Sequence, residues 1–181
     1  MKTVLKWIIW LAVAVIVVFV GGGYVLPGEA VVQRQIVIAA APENVFAVIG
    51  NLKRFNEWSP WAELDPNTQY KFEGPETGAG QKMSWTSNHP DVGNGSQTIT
   101  ALEENKRMTT ELDFGDMGKA VASMELAPVG GGTGVTWGFK TELKGAMERW
   151  FGLLFDRWIG ADYEKGLAKL KALVEKEAAG E

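Results

Sequence analysis

The side chains that most often carry covalent or metal chemistry are almost missing from this sequence. Its 181 residues include no cysteine and one histidine, His89. These counts exclude disulfide frameworks, zinc fingers, thiol nucleophiles and metal sites built from several histidines. His89 precedes Pro90 in a polar stretch that is typical of a turn, where a histidine is usually solvated. The sequence therefore predicts no catalytic residue, no metal ligand and no cofactor.

Large apolar side chains, in contrast, recur at alternate positions. Met83 and Trp85 alternate with polar residues in one stretch, and Val135, Trp137 and Phe139 do so in another. Alternate residues of a strand share one face, so the pattern predicts a covered face without carboxylate, histidine or lysine. That face is the packed interface with a helix, the wall of a hydrophobic cavity, or both. General acid–base catalysis needs a titratable group there, so the pattern favours binding over catalysis.

Further aromatic residues flank the predicted apolar face. Trp58 and Trp61 surround Pro60 and form either a packing corner or the rim of a cavity mouth. A late helical segment carries more aromatic residues than one buried stripe needs, which indicates core, a mobile lid or a surface that touches a bilayer. The predicted ligand-binding residues are Trp58, Trp61, Met83, Trp85, Thr110, Leu112, Phe114, Met124, Val135, Trp137, Phe139, Trp150, Leu154 and Phe155.

Charged residues of the late helical segment have two interpretations. These residues either hold a ligand head group near the cavity mouth or form an ordinary solvated helix face. They are Arg149, Arg157, Glu148, Asp156 and Asp162. The whole chain has 18 basic and 22 acidic residues and a net charge of −4. This balance does not give the basic footprint of a nucleic-acid-binding protein, so no nucleic-acid partner is expected.

The order of predicted elements shows how these residues are positioned. The predicted strands are Val31–Ile38, Gln69–Glu73, Gln81–Ser87, Ser96–Leu102, Arg107–Phe114, Lys119–Ala127 and Gly134–Glu142. The last third is helical by its apolar spacing, with an expected interruption at 160–162 and Asp162 as a new N-cap. We therefore expect an α+β helix-grip fold: a curved seven-strand antiparallel sheet wrapped around a long C-terminal helix. A curved sheet and a helix are expected to leave an elongated apolar cavity between them.

The N-terminal segment predicts a transmembrane helix. Residues 7–28 contain no charged side chain, and their apolar part, residues 7–26, is long enough to cross a bilayer. We expect residues 1–6 in the cytoplasm, because Lys2 and Lys6 precede the span, and the domain at 31–177 outside it. The glycines at 21–23 are expected to break the helix at the membrane interface. The alternative is a signal peptide cleaved after Gly28-Glu29-Ala30, which would leave a secreted protein.

Several short motifs, taken in order, resemble one superfamily. They are the strand ending Ile36-Val37-Ile38, the segment Ala41–Phe46, Trp58-Ser59-Pro60-Trp61, Gly80 to Trp85, Gly132–Trp137 and Tyr163–Lys171. Together they resemble the SRPBCC superfamily, and within it the polyketide cyclase/dehydrase-like, START-related branch, over essentially residues 31–177. This resemblance implies a helix-grip fold with a hydrophobic ligand cavity. It does not imply one activity, because members include lipid carriers, ligand sensors, cyclases and chaperone regulators.

These observations favour a membrane-anchored, single-pass protein that binds a lipid or an isoprenoid without catalysis. Two alternatives remain: an enzyme of the cyclase/dehydratase kind, and a protein-interaction or chaperone-regulator module. A buried carboxylate or histidine with a shifted pKa would favour the enzyme. A filled core with an exposed apolar patch would favour the interaction module.

Overall fold

The computed structural model describes residues 2–180. The helices are α1 (Lys2–Val25), α2 (Pro42–Ile49) and α3 (Ala146–Ala178), and two 3-10 helices lie at Leu52–Glu57 and Gly115–Met117. The strands are β1 (Glu29–Ile38), β2 (Gln69–Glu73), β3 (Lys82–Thr86), β4 (Asn94–Glu103), β5 (Arg107–Asp113), β6 (Lys119–Val129) and β7 (Gly132–Glu142).

The seven strands form one antiparallel sheet in the order β1-β7-β6-β5-β4-β3-β2. Strands β2 to β7 are a meander, and β1 returns to pair with β7 from Glu29 opposite Glu142 to Ile38 opposite Thr133. The predicted α+β helix-grip architecture is therefore confirmed. The strand ends coincide with the prediction or differ from it by one or two residues. Strands β1, β4, β6 and β7 are longer than predicted, because pairing with a neighbour carries a strand beyond its own apolar pattern, whereas β3 and β5 are shorter.

The C-terminal half of α3 packs across the concave face of the sheet. Tyr163, Leu167, Leu170 and Val174 recur at helical spacing and are all buried. Opposite them the sheet contributes inward-facing apolar side chains of alternate residues, including Val32, Met83, Ile99, Met124 and Trp137. The core therefore lies between this half of the helix and the sheet.

The predicted interruption of the C-terminal helix is wrong. Helix α3 runs unbroken from Ala146 to Ala178, so Asp162 lies inside it and is not an N-cap. Gly160 is buried, and a Cβ atom there would overlap the guanidinium of Arg34 on β1. Arg34 pairs across this gap with Asp156 at 2.8 Å and with Glu164 at 2.7 Å. The missing side chain of Gly160 thus lets the helix approach the sheet closely. The low helix propensity of glycine alone would favour a helix end at this position.

The first half of α3 contacts α1, while Phe155 and Ile159 of this half also pack against the core. Helix α1 also continues through the glycines at 21–23, so the predicted break is wrong. Gly22 and Gly23 face α3, where a Cβ would lie 3.2 Å from the Trp150 ring or 2.6 Å from Ala146 Cβ. Among the described residues, one helix is long and apolar enough to cross a membrane, Thr3–Val25, with a mean hydropathy of 2.6. A signal sequence has the same two properties.

Candidate ligand-binding site

Five aromatic rings meet where α3 crosses the sheet, and we call them the aromatic cluster: Phe55, Trp58, Trp61, Trp137 and Tyr163. Tyr163 stacks on Trp137 with ring centroids 3.7 Å apart. Trp58 and Trp61 approach the same indole edge-on, at 5.1 and 6.1 Å. Phe55 packs against Trp58 at 4.9 Å and against Trp61 at 6.4 Å. The cluster joins three separate parts of the chain, the segment 55–61, β7 and α3, into one apolar contact surface.

Local sequence explains why these rings meet. The 3-10 helix ends at Glu57, and Pro60 prevents helix from continuing, so the chain turns between Trp58 and Trp61. Gly166 of α3 lies directly on this corner, and a Cβ there would stand 2.6 Å from the Trp137 ring and 3.1 Å from Pro60. The missing side chain therefore lets the helix close onto the cluster.

A small cavity remains beneath the aromatic cluster. Its volume is about 50 Å³, whereas pockets for small-molecule ligands usually enclose about 300–1,000 Å³. The expected elongated cavity is thus far smaller in this conformation, because the five rings fill most of the space between α3 and the sheet. The cavity is lined by Phe55, Trp58, Trp61, Gln97, Met108, Thr110, Leu112, Ala122, Ser123, Met124, Trp137 and Tyr163.

Two residues that line the cavity carry polar groups without partners. Within residues 2–180, the buried side-chain atoms that lack a hydrogen-bond partner are Trp58 Nε1 and Gln97 Nε2. Both residues line the cavity, and they are 1% and 6% exposed. A buried donor left unpaired costs about 1–3 kcal/mol. Two such donors on residues of one largely apolar lining are suited to a group that brings its own acceptor, such as an oxygen atom of a ligand or a water molecule.

The other polar groups of the lining are neutral. Thr110 is buried on the inward face of β5, as its alternation with charged residues predicts. Burial raises the pKa of the Tyr163 hydroxyl far above its ordinary value, so the group keeps its proton at physiological pH. Nothing in the lining is a carboxylate, histidine, lysine or arginine. The site is therefore arranged for non-covalent contact with an apolar molecule that carries an uncharged polar group.

The structure brings only part of the predicted set to this cavity. Six of the fourteen residues line it: Trp58, Trp61, Thr110, Leu112, Met124 and Trp137. Met83 and Val135 lie elsewhere in the buried core. Two predicted pairs pack edge-on away from the cavity, Trp85 with Phe114 at 6.1 Å and Phe139 with Phe155 at 6.3 Å. Trp150 contacts α1, and Leu154 is exposed.

Sequence reasoning did not single out Phe55, Gln97 or Tyr163 as candidate ligand contacts. Tyr163 belongs to the buried stripe of α3, which is compatible with lining a cavity. Gln97 lies two residues before Ile99 on β4, and the two share the buried face. The alternation of β4 therefore places Gln97 inward. Because its side chain is polar, the search for apolar residues at alternate positions does not select it. Phe55 lies in a 3-10 turn, where neither helical nor strand periodicity applies.

The predicted head-group role of charged residues on α3 is not supported by their contacts. Arg149 donates hydrogen bonds to the carbonyls of Leu143, Tyr24 and Leu26 at 3.0–3.1 Å. Asp156 pairs with Arg34. These groups thus hold α1, α3 and β1 together, away from the cavity. His89 stays in its predicted turn, where Nδ1 accepts from the Asp91 amide at 3.2 Å.

Comparisons with known proteins agree on a family and a fold. Residues 29–175 match the family model described as polyketide cyclase / dehydrase and lipid transport. No curated protein matches the chain. Among solved structures, 247 chains match.

Three of these structures illustrate the range of proteins that share the fold. The di-domain ARO/CYC StfQ from the steffimycin biosynthetic pathway has a TM-score of 0.63 and 12% identity, covering 83% of this chain and 52% of that chain. A protein from Nitrosospira multiformis has a TM-score of 0.59 and 20% identity, covering 82% of this chain and 99% of that chain. The Aha1 dimer from Colwellia psychrerythraea has a TM-score of 0.56 and 19% identity, covering 80% of this chain and 96% of that chain. At these identities the likeness concerns the fold alone.

Proposed function

Because the chain belongs to the polyketide cyclase/dehydrase and lipid transport family, we propose that it binds a hydrophobic small molecule beneath the aromatic cluster. The ligand class is a lipid or an isoprenoid with an oxygen atom at its buried end, and binding is non-covalent. The observation that carries this proposal is the pair of unpaired donors, Trp58 Nε1 and Gln97 Nε2, on two residues that line a largely apolar cavity.

The energetics of the site support an oxygen-bearing ligand. A carbonyl or hydroxyl oxygen that accepts from either donor removes a penalty of about 1–3 kcal/mol that the ligand-free protein carries. The rest of the ligand gains about 25 cal/mol for each Å² of apolar surface that it buries against the rings. A pure hydrocarbon gains only the second contribution. We therefore expect the site to prefer an alcohol, a carbonyl compound or a protonated carboxylic acid over the matching alkane.

Binding of such a ligand requires the cavity to enlarge. Phe55 and Trp61 are half-buried, whereas Trp58, Trp137 and Tyr163 are fully buried. Trp61 also lies in a turn segment without strand pairing. Within residues 2–180 the Trp61 indole makes no hydrogen bond. Rotation of this side chain toward solvent therefore breaks none, and it opens the cluster between the 3-10 helix and α3. We assign the mouth of the site to Trp61.

Membrane anchoring by α1 is the second part of the proposal. Signal-peptide cleavage after Ala30 would remove residues that form part of the folded domain. Glu29 and Ala30 belong to β1 and pair with β7, and the Gly28 carbonyl accepts from the Leu143 amide at 2.8 Å. Cleavage would also remove every contact between α1 and α3. These contacts support a retained anchor, and Lys2 and Lys6 before the span favour a cytoplasmic N-terminus.

The binding proposal is tested with the full chain purified from membranes in detergent. Native mass spectrometry of this preparation is expected to detect a co-purified apolar molecule. Farnesol and oleic acid serve as probes, and their binding is followed through tryptophan fluorescence. Trp58→Phe removes one donor and is expected to weaken binding about tenfold, the equivalent of about 1.4 kcal/mol.

Trp85→Phe is the matched control. Trp85 does not line the cavity, and its Nε1 already donates to the Val92 carbonyl at 3.3 Å. Its replacement is therefore expected to leave probe affinity unchanged. Failure to find a bound molecule, together with failure of both probes to bind, would overturn the proposal.

The small volume of the cavity favours a second candidate, a protein-interaction module, because such a module needs no ligand space. The first half of α3 also exposes large apolar side chains. The two candidates differ in the outcome of the same experiment. A module that works through its surface is expected to lose its partner when exposed residues of α3 change, and to be indifferent to Trp58→Phe.

A further inference from the structure

One face of the first half of α3 carries exposed large apolar residues that the cavity does not use. Met147, Phe151, Leu154 and Trp158 recur at intervals of four, three and four residues, and we call them the α3 stripe. This spacing places them on one helix face, opposite the side that packs on the sheet. They are 57%, 50%, 40% and 50% exposed. So large an apolar stripe on a soluble surface indicates an interaction site.

We propose that the α3 stripe is inserted into the lipid bilayer at the level where α1 leaves it. This inference rests on the proposed anchoring role of α1. The occupant is the boundary between head groups and acyl chains of the leaflet on the domain side. The first half of α3 is then an interfacial helix, and its second half stands in water above the cavity.

The contact between α1 and α3 sets the depth of the stripe. Trp150 Nε1 donates to the Phe19 carbonyl at 3.0 Å, and its indole stacks on the Phe19 ring at 5.6 Å. Phe19 lies seven residues before Leu26, the end of the apolar segment, which is about 10 Å along a helix. When α1 spans a bilayer, Trp150 therefore lies within it. Interfacial helices bury their apolar faces about 5–10 Å deep, which is the same range.

The orientation of the stripe is fixed by a second group of contacts. The Arg149 guanidinium donates to the carbonyls of Tyr24 and Leu26, which end α1, and stands over the Tyr24 ring at 5.3 Å. A cation at a helix C-terminus is favourable, and a tyrosine there suits the membrane interface. The same side chain holds the Leu143 carbonyl just before α3. Arg149 thus locks the two helices together at the level of the interface.

The apolar surface is continuous from α1 to α3. Ala14, Val15, Val18 and Phe19 form an apolar groove with Trp150, and the groove encloses about 400 Å³. Helix α1 is exposed along its length up to Gly21, so lipid must cover this side of it. A lipid layer that covers α1 also reaches the groove and the start of α3. This continuity favours the bilayer over a second copy of the chain as the occupant.

The same helix face changes character further along α3. Beyond Trp158 its line continues through Lys165, Lys169 and Lys176, at further steps of seven, four and seven residues. Lys165 has 71% of its side chain exposed. The face therefore passes from apolar to basic over about two turns, as expected where a helix emerges from the head groups into water.

The absence of cysteine from the sequence makes the test direct, since each introduced cysteine is the only labelling site. The full chain is reconstituted in vesicles of phosphatidylcholine and phosphatidylglycerol, with a nitroxide at Phe151→Cys or Leu154→Cys. Electron paramagnetic resonance then compares collisions with oxygen, which concentrates in lipid, and with a water-soluble nickel chelate. We expect an oxygen-to-nickel ratio several-fold higher at both sites than at Lys165→Cys, the control on the same face.

The other outcomes distinguish a failure of the stripe proposal from a failure of the anchoring proposal. A label at Val13→Cys reports whether α1 itself is in the bilayer. If Val13→Cys is lipid-exposed while both stripe labels match Lys165→Cys, the stripe proposal is overturned and the anchor stands. If Val13→Cys is also exposed to nickel, both proposals fall. Spin–spin broadening at Phe151→Cys without oxygen access would overturn the bilayer as occupant and indicate a second copy instead.

Discussion

Replacing Gln97 by methionine is expected to stabilise the ligand-free protein, although most core substitutions destabilise. Methionine has similar length and flexibility, so it fills the same space. The exchange removes the unpaired Gln97 Nε2, whose burial costs about 1–3 kcal/mol. For a chain of this size each kcal/mol moves the melting temperature by about 2–4 °C. The expected rise is therefore on the order of 2–12 °C.

Gln81→Met is the matched control, because Gln81 is a second buried glutamine with full hydrogen bonding. Its Oε1 accepts from the Leu52 amide at 2.8 Å. Its Nε2 donates to Asn51 Oδ1 at 3.0 Å and to the Glu76 carbonyl at 2.6 Å. Loss of three hydrogen bonds, each worth about 1 kcal/mol net, predicts a destabilisation of about 3 kcal/mol. The same replacement by methionine should thus stabilise the protein at Gln97 and destabilise it at Gln81.

The assay is thermal unfolding of the full chain in detergent micelles, followed by near-ultraviolet circular dichroism of the tryptophans. The same two variants are then compared for binding of farnesol and oleic acid. Gln97→Met is expected to bind both probes more weakly while it melts at a higher temperature. A lower melting temperature for Gln97→Met would contradict this expectation, since it would mean that a tightly held water already satisfies the Gln97 nitrogen.

Three further perturbations test the contacts that hold α3 against the sheet. Gly166→Ala is expected to lower the free energy of unfolding by about 1–3 kcal/mol, because the added methyl overlaps an indole ring of β7. The control Gly130→Ala, at an open turn position, should stay within about 0.5 kcal/mol in the same denaturant titration. Gly160→Ala is expected to lower the melting temperature, and less so when Arg34→Ala is present, because the methyl displaces the Arg34 guanidinium. Strictly additive effects in that double-mutant cycle would contradict the contact. The guanidinium of Arg34 also lowers the pKa of Asp156, so its stabilising effect is complete above about pH 4 and is lost as pH falls further. Asp156→Asn should flatten this acid limb of the stability profile, and an unchanged limb would count against the ion pair.

The sheet could be predicted from the sequence because its evidence is local. Alternation of apolar and polar residues has a period of two, and it holds within single strands such as β3 and β7. The inward orientation of Met83, Thr110 and Trp137 follows from that period and is observed. The pairing of β1 with β7 is long-range, and no local pattern predicts it.

The cavity could not be sized from the sequence, because its volume depends on rings from distant parts of the chain. Trp58 and Trp137 meet edge-on only after the sheet, the 3-10 helix and α3 are assembled. The unbroken path of α3 has a similar cause. Gly160 favours a helix end by its own propensity, but the ion pairs of Arg34 with Asp156 and Glu164 span the position from outside the helix. Long-range contacts of this kind leave no periodic pattern.

The position of β1 has a consequence for how the protein is made. Strand β1 directly follows α1 and is the first part of the domain to be synthesised, yet its partner β7 comes roughly a hundred residues later. Closing so long a loop makes folding slow, and the edge of β1 stays unpaired meanwhile. The meander from β2 to β7 can form from local hairpins during that wait. Sheet completion is therefore a late step, and α3 can cover β1 only after it.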